Sequence, residues 1–176
     1  MNKLTFLILF LFLVIGWANA QDDMSSMMTP PPPVENAVLD AMVGTWTGTS
    51  DMMGMTMNET VTCYWDLNHQ FLIMKLESVS QDNPSQKYTG MGIYGVDTKG
   101  NLKAWWFDDW GADGTMYGTG TFDGMTMHMT GENDMYADDR YFKFNDDGQM
   151  IMTWTGTMKL PTGDMTMNGE TVYTKK

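Results

Sequence analysis

The chain is 176 residues long, 43% hydrophobic and 12% aromatic, with 18 glycines, 21 methionines and one cysteine, which suits one globular domain. Lys and Arg total 10 against 22 Asp and Glu, giving a net charge of −12. Phosphate backbones and anionic lipid repel such a chain, and Arg140 is its single arginine, so nucleic acid and membrane surfaces are poor partners.

Residues 1–20 read as a secretory signal peptide. Lys3 gives a positive start, Leu4 to Ile15 is almost purely apolar, and Ala18-Asn19-Ala20 supplies small residues for cleavage after Ala20. No later stretch approaches the roughly 20 apolar residues of a membrane span. The only cysteine, Cys63, lies far from the cleavage site, so no thiol is available there for lipidation. The expected location is periplasmic or secreted. A lone thiol in an oxidising compartment survives best when buried, and one cysteine excludes an internal disulfide. Asn58-Glu59-Thr60 fits a glycosylation sequon, which matters only in a eukaryotic source.

Residues 21–34 form a polar leader carrying Met24, Met27 and Met28 and ending in Pro30 to Pro33, a composition that packs no core and is read as disordered. The folded domain is assigned to residues 35–176. Val38, Leu39, Met42 and Val43 fall on one helical face within Val34 to Val43, predicting one short amphipathic helix. From Gly44 onward the pattern has period two. Turn chemistry interrupts it at Asp51 to Gly54, Asp66 to His69, Asp82-Asn83-Pro84, Asp97 to Gly100, Gly111 to Gly114, Asp123-Gly124, Asn145 to Gly148 and Pro161 to Asp164. Roughly nine or ten sequential strands without crossover helices predict an all-β antiparallel meander. Closing it into an up-and-down barrel removes the exposed edges and leaves the helix at an open end.

Strand parity sorts the side chains. Met55, Met57, Val61, Cys63 and Trp65 share a face, as do Met125, Met127 and Met129; Met150, Met152, Trp154 and Met158; and Met165 and Met167. The opposite faces are rich in Thr and are expected to face water, so the interior is lined with thioether and indole.

Gly44-Thr45-Trp46 after the helix resembles the Gly-x-Trp that opens lipocalin-type (calycin) barrels. Gly90 to Asp97, Ala104 to Asp108, Gly118 to Gly124 and Glu170 to Lys175 follow in an order that resembles the exported bacterial domain-of-unknown-function family 1579, across Leu39 to Lys176. The resemblance implies a lipocalin-like barrel with a ligand-holding interior and brings no catalytic residues. Related nitrobindin-type barrels hold haem through a histidine on a late strand. Met165 to Lys176 has none, His128 has outward parity and His69 sits in a turn, so haem is not expected.

Two functional readings follow. In the first, an exported binding module holds a small apolar molecule against Trp46, Trp65, Trp106, Trp154, Met150 and Met152, with no cofactor. In the second, soft thioethers at Met-x-Met spacing capture Cu(I) or Ag(I), with Met55, Met57, Met125, Met127, Met129, Met165 and Met167 as ligands and Met53 in a further pair. The same methionines also serve simply as adaptable core filling, and exposed ones as oxidant scavengers. Trp105 and Trp106 are adjacent and so face opposite ways; an exposed tryptophan would mark a partner surface. The paired aspartates Asp108-Asp109, Asp138-Asp139 and Asp146-Asp147 read as solvated turn chemistry. Glu59 and Asp108 are exceptions, with parity that aims them inward toward Arg140 or a ligand. Two histidines, no Gly-x-Ser-x-Gly, no phosphate-cradling loop and no calcium loop leave no recognisable catalytic machinery, so a non-enzyme is expected.

Overall fold

The structure, a computed structural model, describes residues 29–176 apart from Met53. The predicted signal peptide, most of the leader with its three methionines, and Met53 lie outside the described residues.

Asn36 starts helix α1 (Ala37–Met42): its side-chain oxygen accepts from the backbone of Val38 and Leu39 at 3.1 and 3.0 Å, satisfying two of the donors a helix start leaves free. Ten strands follow: β1 Gly44–Met52, β2 Met55–Asp66, β3 Phe71–Ser80, β4 Lys87–Val96, β5 Leu102–Asp108, β6 Met116–Asp123, β7 Thr126–Glu132, β8 Tyr136–Phe144, β9 Met150–Met158 and β10 Met165–Lys175. Each pairs antiparallel with its neighbour in sequence, and β10 returns to β1 to close the barrel. The predicted turns all join strands. The turn between β7 and β8 escaped the sequence reading; Asn133 builds it by accepting from the backbone of Met135 and Tyr136 at 2.9 and 2.8 Å.

The ladders are long except at the closing seam. β1 and β10 pair only at Trp46–Lys175 and Thr47–Thr174, whereas β1 pairs with β2 from Gly44 to Met52. Side-chain hydrogen bonds tie the seam beyond the ladder: Glu59 on β2 accepts from Ser50 on β1 at 2.6 Å and from Tyr173 on β10. All three are buried.

Met57, Val61, Cys63, Met127, Met129, Met150 and Met152 are buried inside, as parity predicts. The outward face is Thr-rich on β1, β2, β9 and β10. An exception crosses β2 to β6, where Tyr64, Ile73, Ile93, Trp105 and Tyr117 stand in one register row on the outer wall. Trp105 lies there between Phe71 and Tyr117, and Trp106 faces inward.

Helix α1 seals one end. Val38, Leu39 and Met42 enter the same apolar cluster as Trp46, Val61, Leu72, Leu102, Met127, Phe142 and Met150. The predicted open end at the helix is therefore a plugged one. The β2–β3 turn clamps the plug from outside: Trp65 donates to Asp40 of the helix at 2.9 Å and stacks on His69 at 4.0 Å. Leu67, Asn68 and His69 hold left-handed backbone in succession, with φ of 49°, 56° and 60°, a local strain that the clamp overrides.

Burial holds several acidic protons in place. It pushes the Cys63 thiol up to about 12 and, helped by the charge of Asp138, the Tyr136 hydroxyl up to about 12. Burial also raises Tyr88, Tyr94 and Tyr173. The folded barrel keeps these protons where the unfolded chain loses them, so their contribution is complete below about pH 9 and is lost as pH rises further. Urea unfolding at pH 8 and pH 11 is expected to show a fall of about 1 kcal/mol per pH unit for each such group above about pH 10. Equal stabilities at the two pH values would mean that these side chains are solvated.

Candidate functional site

The inward-facing side chains divide the barrel into two halves. Near the helix they are sealed: Leu39, Met42, Leu72, Leu102, Met127 and Met150 are all 0% exposed. Toward the opposite end the same faces become half-exposed, at Met52, Trp106, Tyr136, Arg140, Trp154, Met158, Met165 and Met167. That end, framed by the β1–β2, β3–β4, β5–β6, β7–β8 and β9–β10 turns, is the mouth of the lumen.

Glycines make room for the aromatic lining. Trp106 lies across Gly90, Tyr136 across Gly156 and Trp154 across Gly169, each glycine on a neighbouring strand. A Cβ at any of the three would collide with the side chain that covers it, so the aromatic groups lie along the wall instead of filling the centre. Asp108 fixes one of them. Its Oδ2 accepts from Trp106 Nε1 at 3.1 Å and Tyr88 at 3.0 Å, and its Oδ1 accepts from the Trp110 backbone at 3.0 Å. Trp110, 67% exposed, stands at the rim with its ring edge toward Tyr88.

Deeper in the lumen, Asp138 and Arg140 point inward from β8, two residues apart on one face. Nη2 of Arg140 donates to Oδ1 of Asp138 at 3.1 Å, while Nε and Oδ2, also 3.1 Å apart, are not aligned for a hydrogen bond. The Asp138 side chain is 0% exposed and that of Arg140 is 19% exposed. Burial works against the Arg140 charge, but the Asp138 carboxylate and nearby tyrosines hold its proton still more firmly than usual. Ser78, 1% exposed, leaves its hydroxyl without a partner on the same interior.

The predicted residues distribute unevenly over these halves. Trp106 and Trp154 line the open half. Trp46, Met150 and Met152 belong to the sealed core, and Trp65 clamps the helix. Among the methionines, Met165 and Met167 face the mouth and Met57 is buried inside. Met127 and Met129 sit in the sealed core, Met55 is 37% exposed at the start of β2, and Met125 is 41% exposed in the β6–β7 turn. The structure thus does not gather Met125 with Met127 and Met129 on one strand face. Glu59 and Asp108 aim inward as parity indicated, but neither bonds to Arg140. Asp138, read from sequence as a solvated turn residue, is the buried partner of the arginine. The signal was the alternation Tyr136, Asp138, Arg140, Phe142, hidden because the turn before β8 went unrecognised.

A concavity of about 360 Å³ lies across β3, β4 and β5, among Lys75, Glu77, Thr89, Met91, Phe107 and Asp109. It is an open depression. Among the described residues no three His, Cys, Asp or Glu side chains group as a metal site, and no helix is long and apolar enough to cross a membrane.

A closed ten-stranded antiparallel meander with a plugged end and an aromatic mouth defines a calycin-like β-barrel. The chain is similar in fold to the S-type phycobiliprotein lyase CPES from Guillardia theta, at 11% identity and a TM-score of 0.61, over 78% of this chain and 90% of that one. It is equally similar to Rv2717c from M. tuberculosis, at 13% identity and a TM-score of 0.61, over 81% of this chain and 99% of that one. No family model matches the sequence, and no curated protein matches it significantly.

Proposed function

We propose that the chain is an exported bacterial binding protein, akin to family 1579, that holds a small, largely apolar molecule in the open half of its lumen. The observation that carries this reading is the exposure gradient along the inward faces: sealed at the helix, half-exposed and aromatic at the mouth. The fold it shares with a phycobiliprotein lyase is compatible with a lumen that receives a guest. The uncharged probe N-phenyl-1-naphthylamine is expected to bind once per chain with enhanced emission. Trp154→Ala is expected to weaken it by about tenfold, the effect of removing one large apolar contact. Absence of binding, or wild-type affinity in both Trp154→Ala and Trp106→Ala, would overturn the reading.

One observation favours the soft-metal alternative at a smaller site than the sequence suggested. Met158 and Met165 are register partners across β9 and β10 at the mouth, with Met167 the next inward residue. Thioethers so placed suit Cu(I) or Ag(I). Under this reading Ag(I) raises the melting temperature, and changing all three methionines to leucine removes the increase.

A further inference from the structure

We propose that the lumen recognises an uncharged, planar ligand bearing a carbonyl oxygen, which Arg140 receives while the body of the molecule lies against Trp154. The inference rests on the lumen-binding reading above and names its ligand class.

Arg140 is the only arginine in the chain, and it stands inside a barrel whose apolar lining is Met, Trp, Tyr and Leu. A buried ion pair is weak support for a fold, because apolar side chains of similar volume would serve as well. The pair therefore needs a reason other than stability. A guanidinium carries five N–H donors, and among the described residues this one makes a single hydrogen bond, to Asp138. The exposure of the pair is asymmetric: Asp138 is fully covered, and the arginine keeps 19% of its side chain open. The carboxylate thus neutralises the guanidinium, whose remaining N–H groups make no hydrogen bond to the described residues. The charge of Arg140 bears on the hydroxyls of Tyr88, Tyr94, Tyr136 and Tyr173, from β4, β8 and β10, which sets it well inside the lumen.

Trp154 is the register partner of Arg140 on β9, and both side chains point inward. Its indole is laid along the wall over Gly169. A donor group beside a flat apolar wall fits a planar molecule with an acceptor at one end. Charge decides between a neutral carbonyl and a carboxylate. Glu59, Asp108 and Asp138 all face this interior against the single cation, and Asp138 already matches it. A carboxylate ligand would bring a further negative charge into an interior where acidic groups outnumber the cation; a ketone, ester or amide brings none.

Three probes of nearly equal shape separate the cases by calorimetry: 2-acetylnaphthalene, 2-ethylnaphthalene and 2-naphthoate. The expected result is binding of the acetyl compound about tenfold tighter than the ethyl compound, with naphthoate weakest. In the double variant D138L/R140M, which removes the pair without stranding either charge, the acetyl and ethyl compounds are expected to bind equally. Equal binding of those two by the wild-type chain would overturn the role of Arg140. Tighter binding of naphthoate would overturn the uncharged class. Binding of the ethyl compound alongside either failure leaves lumen binding standing, whereas failure of all three probes overturns the lumen reading and this inference together.

Discussion

Asp138→Ala is expected to destabilise the barrel by about 3–5 kcal/mol, because it leaves the Arg140 guanidinium inside the lumen without its counter-charge. Native domains of this size are stable by only about 5–15 kcal/mol, so the loss is a large share of the total. Its signature is the contrast with the double variant. D138L/R140M removes both charges, fills the space with apolar atoms and is expected to fall within about 1 kcal/mol of the wild type. Urea denaturation of both variants checks this, and an Asp138→Ala chain as stable as the double variant would show that Arg140 finds solvent at the mouth.

Trp46→Ala is expected to cost about 3–5 kcal/mol and lower the thermal midpoint by roughly 10 °C. Trp46 is 2% exposed at the helix end, and its Nε1 donates to the Met42 carbonyl at 2.7 Å, joining β1 to the end of α1. Its ring meets Phe144 edge-on at 5.8 Å, and the Lys175 ammonium lies 5.1 Å from its centre. Removal leaves a cavity, an unpaired carbonyl and a loosened plug. Trp46→Phe keeps most of the apolar area and is expected to cost about half as much. If the alanine variant melts within 3 °C of the wild type, a difference that calorimetry resolves, the helix is not held by this residue.

The two residues also mark how far the sequence could be read. The Gly44-Thr45-Trp46 step was legible through its resemblance to the Gly-x-Trp of lipocalin-type barrels, and its basis in the structure is local. Gly44 adopts φ 128°, which few other residues tolerate, and the Lys175 stem lies where a Cβ would stand. Period-two alternation gave the Met-lined interior and the outward threonines for the same reason: parity needs only the chain itself. Position along the barrel axis was not legible, since Met127 and Met165 have the same inward parity but lie in opposite halves of the barrel. That depends on where α1 folds back, a tertiary fact. Asp138 was lost to a single unrecognised turn at Asn133. Adjacent aspartates before a strand look like turn chemistry until the strand boundary is known, and then their alternation sends one to water and one to the arginine.

The two-pair seam between β1 and β10 has a consequence for how the molecule is made. Every other ladder joins strands adjacent in the chain, so hairpins can form one after another from local contacts. Closure is the one long-range event, and it brings together Trp46 and Lys175, nearly the full span of the domain. Glu59 on β2 meets Tyr173 only when β10 reaches β1. Until then the sheet carries two free edges and an uncovered thioether face, so pairing of β10 with β1 is the step that ends its exposure to aggregation.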